Sequence, residues 1–356
     1  MKAQLIYNPV AGPRDVRGEL GQVVAYLEAQ GWQVNVRKTL GPGDAITFAR
    51  EAVANHYDLA VAVGGDGTLG EVANGLAGTD CALGVLPVGT GNVWAHMLGL
   101  PVWTVNNRTA LVDAARVLVE GQIHRIDLGK VGDRYLVLWT GIGLDAEVAQ
   151  GVEPHRDIRR NLGNLTYWVT TIALTLGMRG SRVTVVIDGK AIRQRAFLIL
   201  VTNAQLYADS WRVAPQAQLD DGLLDVYIFK GRSIIDVLRH VIMIALGKHL
   251  QDPKVESFRA RRVEIRGDKP LPLHVDGEPH GYTPATITVV PKALRVIVPT
   301  WASGSLFEGG APDPKEDMTL AQRIVERLRY ERERWRQAFR RRYHDWERRL
   351  GITSAD

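Results

Sequence analysis

The stretch that decides the fold runs from residue 59 to residue 76 and reads LAVAVGGDGTLGEVANGL. Residues 59–63 are a continuous apolar run, which predicts a strand that is buried on both faces of a sheet. Residues 68–76 carry a helical pattern. Residues 64–67, Gly-Gly-Asp-Gly, form a turn between them, and its glycines let the backbone approach a ligand closely. A strand, a glycine turn and a helix in this order are typical of an α/β protein.

The same alternation continues on both sides of this stretch. Apolar strands are predicted at residues 3–7, 32–36 and 82–86, and further helices begin near residues 16 and 44. Alternating βα units with apolar strands predict a parallel sheet that is covered by helices on both faces.

After residue 121 the pattern changes to short strands with turn signals between them. Asp188-Gly189, for example, lies between two alternating runs and is a strong hairpin signal. Helical patterns interrupt the series only at residues 158–177 and 233–248. We therefore predict an antiparallel β-sandwich. Its strands are expected at residues 125–130, 135–139, 182–187, 196–201, 223–229, 262–266, 273–275, 286–290 and 294–298.

The composition excludes several classes of protein. The chain has 356 residues, of which 46% are hydrophobic and 23% are charged, so it is neither fibrous nor disordered. Its single cysteine, Cys81, excludes an intramolecular disulfide. No run is apolar and long enough for a membrane span, and we expect a cytoplasmic protein.

The basic charge is concentrated at the end of the chain. Residues 315–350 hold 12 Lys/Arg against 7 Asp/Glu, which leaves 32 of each sign in the rest. The main body is therefore neutral, and no nucleic-acid partner is expected. Residues 318–356 are predicted as a basic amphipathic helical tail after a linker at 301–317. This helix either packs on the body or on a second subunit of a homodimer, or it lies on an anionic membrane surface.

Three glycine-rich turns each follow a predicted strand, at residues 8–12, 64–68 and 87–92. In an open parallel sheet such turns lie together at the carboxyl ends of the strands, where ligands bind. Glycine allows close approach to a phosphate, and the following helix offers free N–H groups. Three turns at one edge predict a polyphosphate site.

Residues 65–70 also match the dinucleotide fingerprint G-x-G-x-x-G. The match follows the third strand instead of the first, and it places the carboxylate of Asp66 inside the phosphate cradle. A carboxylate at this place is favourable when it reaches a Mg²⁺ that bridges it to phosphate oxygens. The pattern therefore argues against a dehydrogenase.

In this order, the motifs resemble the soluble bacterial lipid kinases of the diacylglycerol kinase-like family. The resemblance rests on the three turns and on residues 141–145, 221–224 and 276–278, and it covers about residues 1–300. It implies a nucleotide-binding α/β domain at 1–122, a β-sandwich domain at 123–300 and an active site between them. It also implies ATP and Mg²⁺ as cofactors and a lipid substrate at the membrane surface.

The resemblance further implies roles for single residues. Glu278 would accept the proton of the lipid hydroxyl, and Asp276 would support the metal and water network. Asp221, with the backbone carbonyls of Gln218 and Leu223, would form a structural metal position. The implied ATP contacts are Asn8, Pro9, Val10, Ala11, Gly12, Thr39, Gly65, Asp66, Gly67, Thr68, Leu69, Gly70, Glu71 and Thr90.

Other interpretations stay open. By spacing alone, the Asp-Gly pairs at residues 221 and 276 are hairpin turns. An NAD kinase shares the Gly-Gly-Asp-Gly motif. The family usually has Asn where this chain has Gly70, and often Asp where it has Val93. These departures leave room for a nucleotide-binding regulatory protein with weak catalysis.

Overall fold

The chain forms a mixed α/β structure in a computed structural model. The model describes residues 1–12, 15–103, 107, 109–144, 146, 180–207 and 211–310. Within this part, fifteen strands join one sheet and two further short strands form a separate pair. The predicted helix at 158–177 and the predicted tail at 318–356 lie outside the described residues.

The N-terminal half alternates strands and helices as predicted. The elements are β1 Lys2–Tyr7, α1 Arg17–Ala29, β2 Gln33–Lys38, α2 Asp44–Ala54, β3 Leu59–Gly64, α3 Asp66–Leu76, β4 Ala82–Pro87, α4 Val93–Leu98 and α5 Ala110–Glu120. The four strands are parallel in the order β2-β1-β3-β4. All six residues of β3 are buried, and the helices pack in two pairs, α1 with α5 and α2 with α3.

The C-terminal half pairs its strands antiparallel, which confirms the predicted combination of a parallel α/β half with a β-sandwich. In the described part of this half, helix α6 spans Ile234–Ala245, and short 3₁₀ helices lie at His249–Gln251 and Gly304–Leu306. The strands are β5 Gln122–Val131, β6 Arg134–Leu136, β7 Trp139–Gly143, β8 Ser181–Ile187, β9 Lys190–Thr202, β10 Leu206–Tyr207, β11 Trp211–Arg212, β12 Leu224–Lys230, β13 Val255–Ala260, β14 Arg262–Gly267, β15 Pro272–Val275, β16 Glu278–Tyr282 and β17 Ala285–Val298.

Strand β17 joins the two halves. It pairs antiparallel with β5 and, at Val296, parallel with β4. The ladder bulges around Lys292, and the fully buried carboxylate of Asp127 accepts the backbone N–H of Lys292 at 2.7 Å. Asp127 also accepts the N–H of Gly222 at 2.6 Å. The sheet therefore runs on from one half into the other, and the domain limits at residues 122 and 300 stay predictions.

One predicted strand is divided in the structure. The sequence pattern predicts a single strand at residues 135–139, but β6 ends at Leu136 and β7 begins at Trp139. The backbone N–H groups of residues 137–139 all donate to the carboxylate of Asp276 instead of a neighbouring strand. A side-chain acceptor from a distant hairpin thus replaces the ladder at this point.

Strand β12 separates two hydrophobic cores. Its residues Leu224, Val226 and Ile228 face the interior of the sandwich, while Tyr227 and Phe229 belong to the core shared with the parallel half. Asp225 lies on the same side as Tyr227 and is 4% exposed. The Tyr227 hydroxyl donates to Asp225 Oδ1 at 3.5 Å. Burial raises the pKa of Asp225 to about 7.

This buried carboxyl predicts a pH-dependent stability. The pKa of Asp225 rises from 3.8 in an unfolded chain to about 7 in the folded protein, so the folded state binds more protons between these values. The stabilising contribution of Asp225 to the free energy of unfolding is therefore fully present below pH 4. It is lost as the pH rises towards 7, which lowers the free energy of unfolding by up to ~4 kcal/mol. Asp225→Asn, which cannot ionise, should lose this dependence.

Chemical denaturation of both proteins between pH 4 and pH 8 measures the effect. The difference in unfolding free energy between the variant and the parent protein should change across this window in favour of the variant. A difference that is constant with pH would contradict the assignment.

Candidate active site

The three glycine turns meet at the carboxyl ends of the parallel strands, and they touch through backbone atoms. A β-carbon on Gly89 would lie 2.4 Å from the Cα of Gly65. A β-carbon on Gly12 would lie 1.9 Å from the carbonyl oxygen of Val88, and Gly12 also has a φ of +75°. Only glycine fits such contacts. The turns after β1, β3 and β4 therefore form one continuous backbone surface.

Asp66 connects two of these turns. It is the first residue of α3, and its Oδ2 and Oδ1 accept the backbone N–H groups of Val93 and Trp94 at 3.0 and 3.2 Å. A carboxylate at two helix N-termini is favoured by both helix dipoles. Asp66 thus organises the turn before α4, a structural role that the sequence analysis did not foresee.

The neighbouring residues at this edge are held by short polar contacts. Asn8 donates to Thr68 Oγ1 at 3.0 Å, which links the turn after β1 to α3. The backbone N–H of Thr39 donates to the carbonyl of Tyr7 at 2.9 Å, so Thr39 lies at the end of β2 beside the end of β1. Thr90 is exposed after β4. The structure therefore brings the predicted ATP contacts from four strands to one edge.

Two of the predicted contacts point elsewhere. The carboxylate of Glu71 accepts the N–H of Gly43 and, at 3.2 Å, that of Ala45, and so it caps α2. The side chain of Leu69 is buried in the core. These two side chains position α2 and α3 and leave only backbone atoms for a ligand.

The second part of the site is the hairpin between β15 and β16. Asp276 and Gly277 have φ values of 49° and 85°, which is the two-residue turn that favours Asp-Gly. The Asp276 carboxylate accepts N–H groups from Val137, Leu138 and Trp139 at 2.9, 2.9 and 3.0 Å. Burial raises the pKa of Asp276 to about 6, although these three donors favour its charged form.

Glu278, two residues later, lies between the hairpin and α3. Its Oε1 is 3.4 Å from the place of a β-carbon on Gly67, in the first turn of α3. Its Oε2 forms an ion pair with Arg134 Nη2 at 2.5 Å. Both side chains are partly exposed. The structure therefore places a carboxylate and a guanidinium directly beside the helix that follows the Gly-Gly-Asp-Gly turn.

Arg134 was missed by the sequence analysis, and so was the residue that holds its strand. Asn74 of α3 accepts the N–H of Tyr135 at 2.8 Å and donates to the carbonyl of Tyr135 at 2.9 Å. This pair of hydrogen bonds fixes β6 on α3 and thereby sets Arg134 next to Glu278. No local motif marks either residue, because the contact partners lie 61 and 144 positions apart.

The two departures from the family pattern lie inside this site. A β-carbon on Gly70 would be 3.5 Å from Asp276 Oδ2, so the missing side chain leaves this carboxylate facing bare backbone of α3. Val93 is the first residue of α4 and is buried. Neither position supplies a polar side chain to the space between the two halves.

The predicted structural metal position has a different arrangement. Asp221 Oδ1 accepts the N–H of Leu223 at 2.9 Å, and Oδ2 lies against the guanidinium of Arg259. Gln218 donates its side-chain amide to the carbonyl of Phe307 at 3.1 Å. Among the described residues no group of three or more His, Cys, Asp or Glu could hold a metal ion. The predicted ligands are the Asp221 carboxylate and the backbone carbonyls of Gln218 and Leu223, which these side-chain contacts do not test, and the metal position stays a prediction.

Comparisons with known proteins agree with this architecture. Residues 2–131 match the diacylglycerol kinase catalytic domain, and residues 139–298 match the YegS C-terminal NAD kinase beta sandwich-like domain. A diacylglycerol kinase of Bacillus subtilis (strain 168) is 32% identical over 300 residues, which cover 84% of this chain and 96% of that protein. The chain belongs to the diacylglycerol kinase family.

Further members of the diacylglycerol kinase family are similar over the same length. A diacylglycerol kinase of Staphylococcus carnosus (strain TM300) is 28% identical over 84% of this chain and 95% of its own length. A crystal structure of a diacylglycerol kinase from Bacillus anthracis str. Sterne superimposes with a TM-score of 0.68 at 26% identity, covering 84% of this chain and 97% of that one. The predicted family and enzyme class are therefore confirmed.

The contact between the glycine turns predicts a sharp effect of a small substitution. Gly89→Ala should force the turns after β3 and β4 apart and lower the unfolding free energy by about 1–3 kcal/mol. Thermal and urea denaturation measure this loss. Gly21→Ala is the matched control, because a β-carbon there meets no atom within 4 Å and alanine is favoured inside α1. If both variants are as stable as the parent protein, the turns are not in backbone contact.

Proposed function

We propose that this member of the diacylglycerol kinase family transfers the γ-phosphoryl group of ATP, bound with Mg²⁺, to the hydroxyl of a diacylglycerol-like lipid. The observation that carries the proposal is the position of Glu278 Oε1 beside Gly67. This position supports a role for Glu278 as proton acceptor next to the helix N-terminus at which the phosphates would bind. The lipid hydroxyl would enter between Glu278 and the phosphates.

The phosphate side of the proposal rests on backbone chemistry. The N-terminus of α3 offers backbone N–H groups and the positive end of a helix dipole, which favour polyphosphate. The contacts among Gly12, Val88, Gly65 and Gly89 bring positions without side chains together at this surface. Asp66 is the carboxylate at this end of α3 that would hold the Mg²⁺, and the ion would neutralise charge on the phosphates when bound.

The acceptor side rests on the hairpin. Glu278 would take the proton of the lipid hydroxyl. The hydroxyl oxygen would bond to the γ-phosphorus while the bond from the γ-phosphorus to ADP breaks and ADP leaves. Phosphoryl transfer depends mainly on positioning and on charge stabilisation. Asp276 supports this positioning, since it ties the hairpin to residues 137–139 through three hydrogen bonds. Arg134 holds the Glu278 carboxylate from the other side.

The proposed acceptor follows the relatives, whose names specify diacylglycerol. An NAD kinase remains the second candidate, because the C-terminal half matches a domain described as NAD kinase-like. A regulatory protein with weak catalysis is the third, motivated by Gly70 and Val93. A membrane contact through the tail at 318–356, a homodimer and a cytoplasmic location on the inner face of the membrane also stay predictions.

One assay separates the candidates. The full-length protein is incubated with Mg²⁺ and ATP labelled at the γ-phosphate, together with either diacylglycerol in detergent micelles or NAD. The proposal expects label in the lipid and none in NAD, and omission of Mg²⁺ should abolish the transfer. Label in NAD alone identifies the second candidate. Nucleotide binding without any labelled product identifies the third.

The role of Glu278 predicts a loss in rate without a loss in binding. Glu278→Gln keeps the shape of the side chain but cannot accept the proton, and general-base catalysis is worth about 10²–10⁴-fold. We expect kcat to fall by about this factor while the Kd of ATP changes less than threefold. Steady-state kinetics and nucleotide titration measure the two quantities. Near-normal turnover of the variant would assign the proton transfer to another group.

The ion pair between Arg134 and Glu278 predicts that substitutions of the two residues have coupled effects on kcat. Arg134→Gln should reduce kcat about tenfold or more, since Glu278 loses the partner that positions it, whereas Arg134→Lys should recover part of the rate. The double variant with Glu278→Gln should be no slower than Glu278→Gln alone, because both changes disable one unit. Additive losses in this cycle would show that Arg134 and Glu278 act independently.

A further inference from the structure

Helix α6, the single helix described within the C-terminal half, exposes an apolar stripe to solvent. Ile235, Leu238 and Ile242 are 73%, 43% and 57% exposed, and their spacing of three and four residues places them on one side of the helix. The opposite side is buried through Val237 and His240. Three large aliphatic side chains along one helix face form a contiguous patch, which marks an interaction site more often than scattered apolar residues do.

The surroundings of this stripe are basic. Residues 230–254 contain five Lys/Arg and two Asp/Glu. Both acidic residues are already paired, Asp236 with Lys254 and Asp252 with Arg239. Among the described residues, the exposed side chains of Arg232 and Lys248 form no ion pair, and they stand before and after the helix. Positive charge around an apolar stripe is complementary to an anionic lipid surface.

Helix α6 is also connected to the active site through one strand. Val237 and Ile234 of α6 belong to a small hydrophobic cluster with Phe197 and Leu144, and Leu144 directly follows β7. The other end of β7 is Trp139, whose N–H donates to Asp276. Five strand residues span about 17 Å, so the buried side of α6 and the hairpin that carries Glu278 lie at opposite ends of a short rigid element. The stripe faces away from this strand, on the other side of the helix.

We propose that α6 is a membrane-docking element, which lies flat on an anionic bilayer with Ile235, Leu238 and Ile242 inserted between the headgroups. No described helix is long and apolar enough to cross a membrane. The inference rests on the proposed function, because a lipid acceptor remains in the bilayer during the reaction. The stripe would anchor the enzyme to this surface, and Arg232 and Lys248 would contact the anionic headgroups.

The test compares matched substitutions in the full-length chain, so that the tail is present in every sample. Leu238→Gln and Ile242→Gln are made singly and together. Ile123→Gln is the control, since Ile123 is aliphatic and, like Leu238, 43% exposed, but lies on β5. Binding is measured by sedimentation with vesicles of phosphatidylglycerol and phosphatidylcholine at low and high salt. Turnover is measured on the same vesicles and on diacylglycerol in detergent micelles.

Each stripe substitution should weaken vesicle binding about tenfold, because an aliphatic side chain no longer leaves water, and the double variant should lose more. The control should bind like the parent protein. Turnover on vesicles should fall with binding, while turnover in micelles stays normal. Equal binding of the double variant and the parent protein would overturn the proposal.

Two further outcomes would overturn the membrane-docking proposal and show that something other than a bilayer covers the apolar stripe. A lower melting temperature of the stripe variants with unchanged vesicle binding would indicate that residues of this chain cover the stripe. A change in the oligomeric state on size-exclusion chromatography with unchanged vesicle binding would indicate a second copy. Absence of turnover in micelles by the parent protein would count against the proposed function alone, since vesicle binding is scored separately.

Discussion

The buried carboxylate of Asp276 is the group on which the arrangement of the site depends. It accepts three backbone N–H groups from residues 137–139 and thereby interrupts the strand that would otherwise continue through them. It also lies against Gly70 of α3. Three buried donors without an acceptor would each cost about 1–3 kcal/mol. One side chain therefore ties the hairpin between β15 and β16, residues 137–139 and helix α3 together, and Glu278 follows two residues later.

Much of this arrangement could be predicted because it follows from local patterns. Apolar strands with glycine turns predict a parallel sheet, and the geometry of such a sheet brings the turns to one edge. The Asp-Gly pair at residues 276–277 predicts a hairpin. The remaining features are side-chain contacts between distant positions. The pair of Arg134 with Glu278, the cap that Asp66 provides for α4, and the split of residues 135–139 arise only when two distant segments meet, and no spacing within either segment indicates them.

The positions that depart from the family pattern acquire a physical meaning in the fold. Gly70 leaves no side chain in the space beside Asp276, where burial raises the pKa to about 6 against the opposing effects of three backbone donors and of the charge on Arg134. Val93 is buried and contributes its backbone N–H to Asp66. With Gly70 and Val93, the chain has fewer polar side chains in the cleft than the family pattern has. The backbone contacts among the three glycine turns do not depend on side chains at these two positions.

The central claim is that the three glycine turns form a single nucleotide site. Amide hydrogen exchange of the full-length protein, with and without ATP and Mg²⁺, tests it most directly, because bound phosphates protect the N–H groups that they contact. The account predicts slower exchange at residues 8–12, 64–68 and 88–92 together, with no change in β8 at residues 181–187. Protection that is confined to one turn, or that appears only in the sandwich, would contradict it.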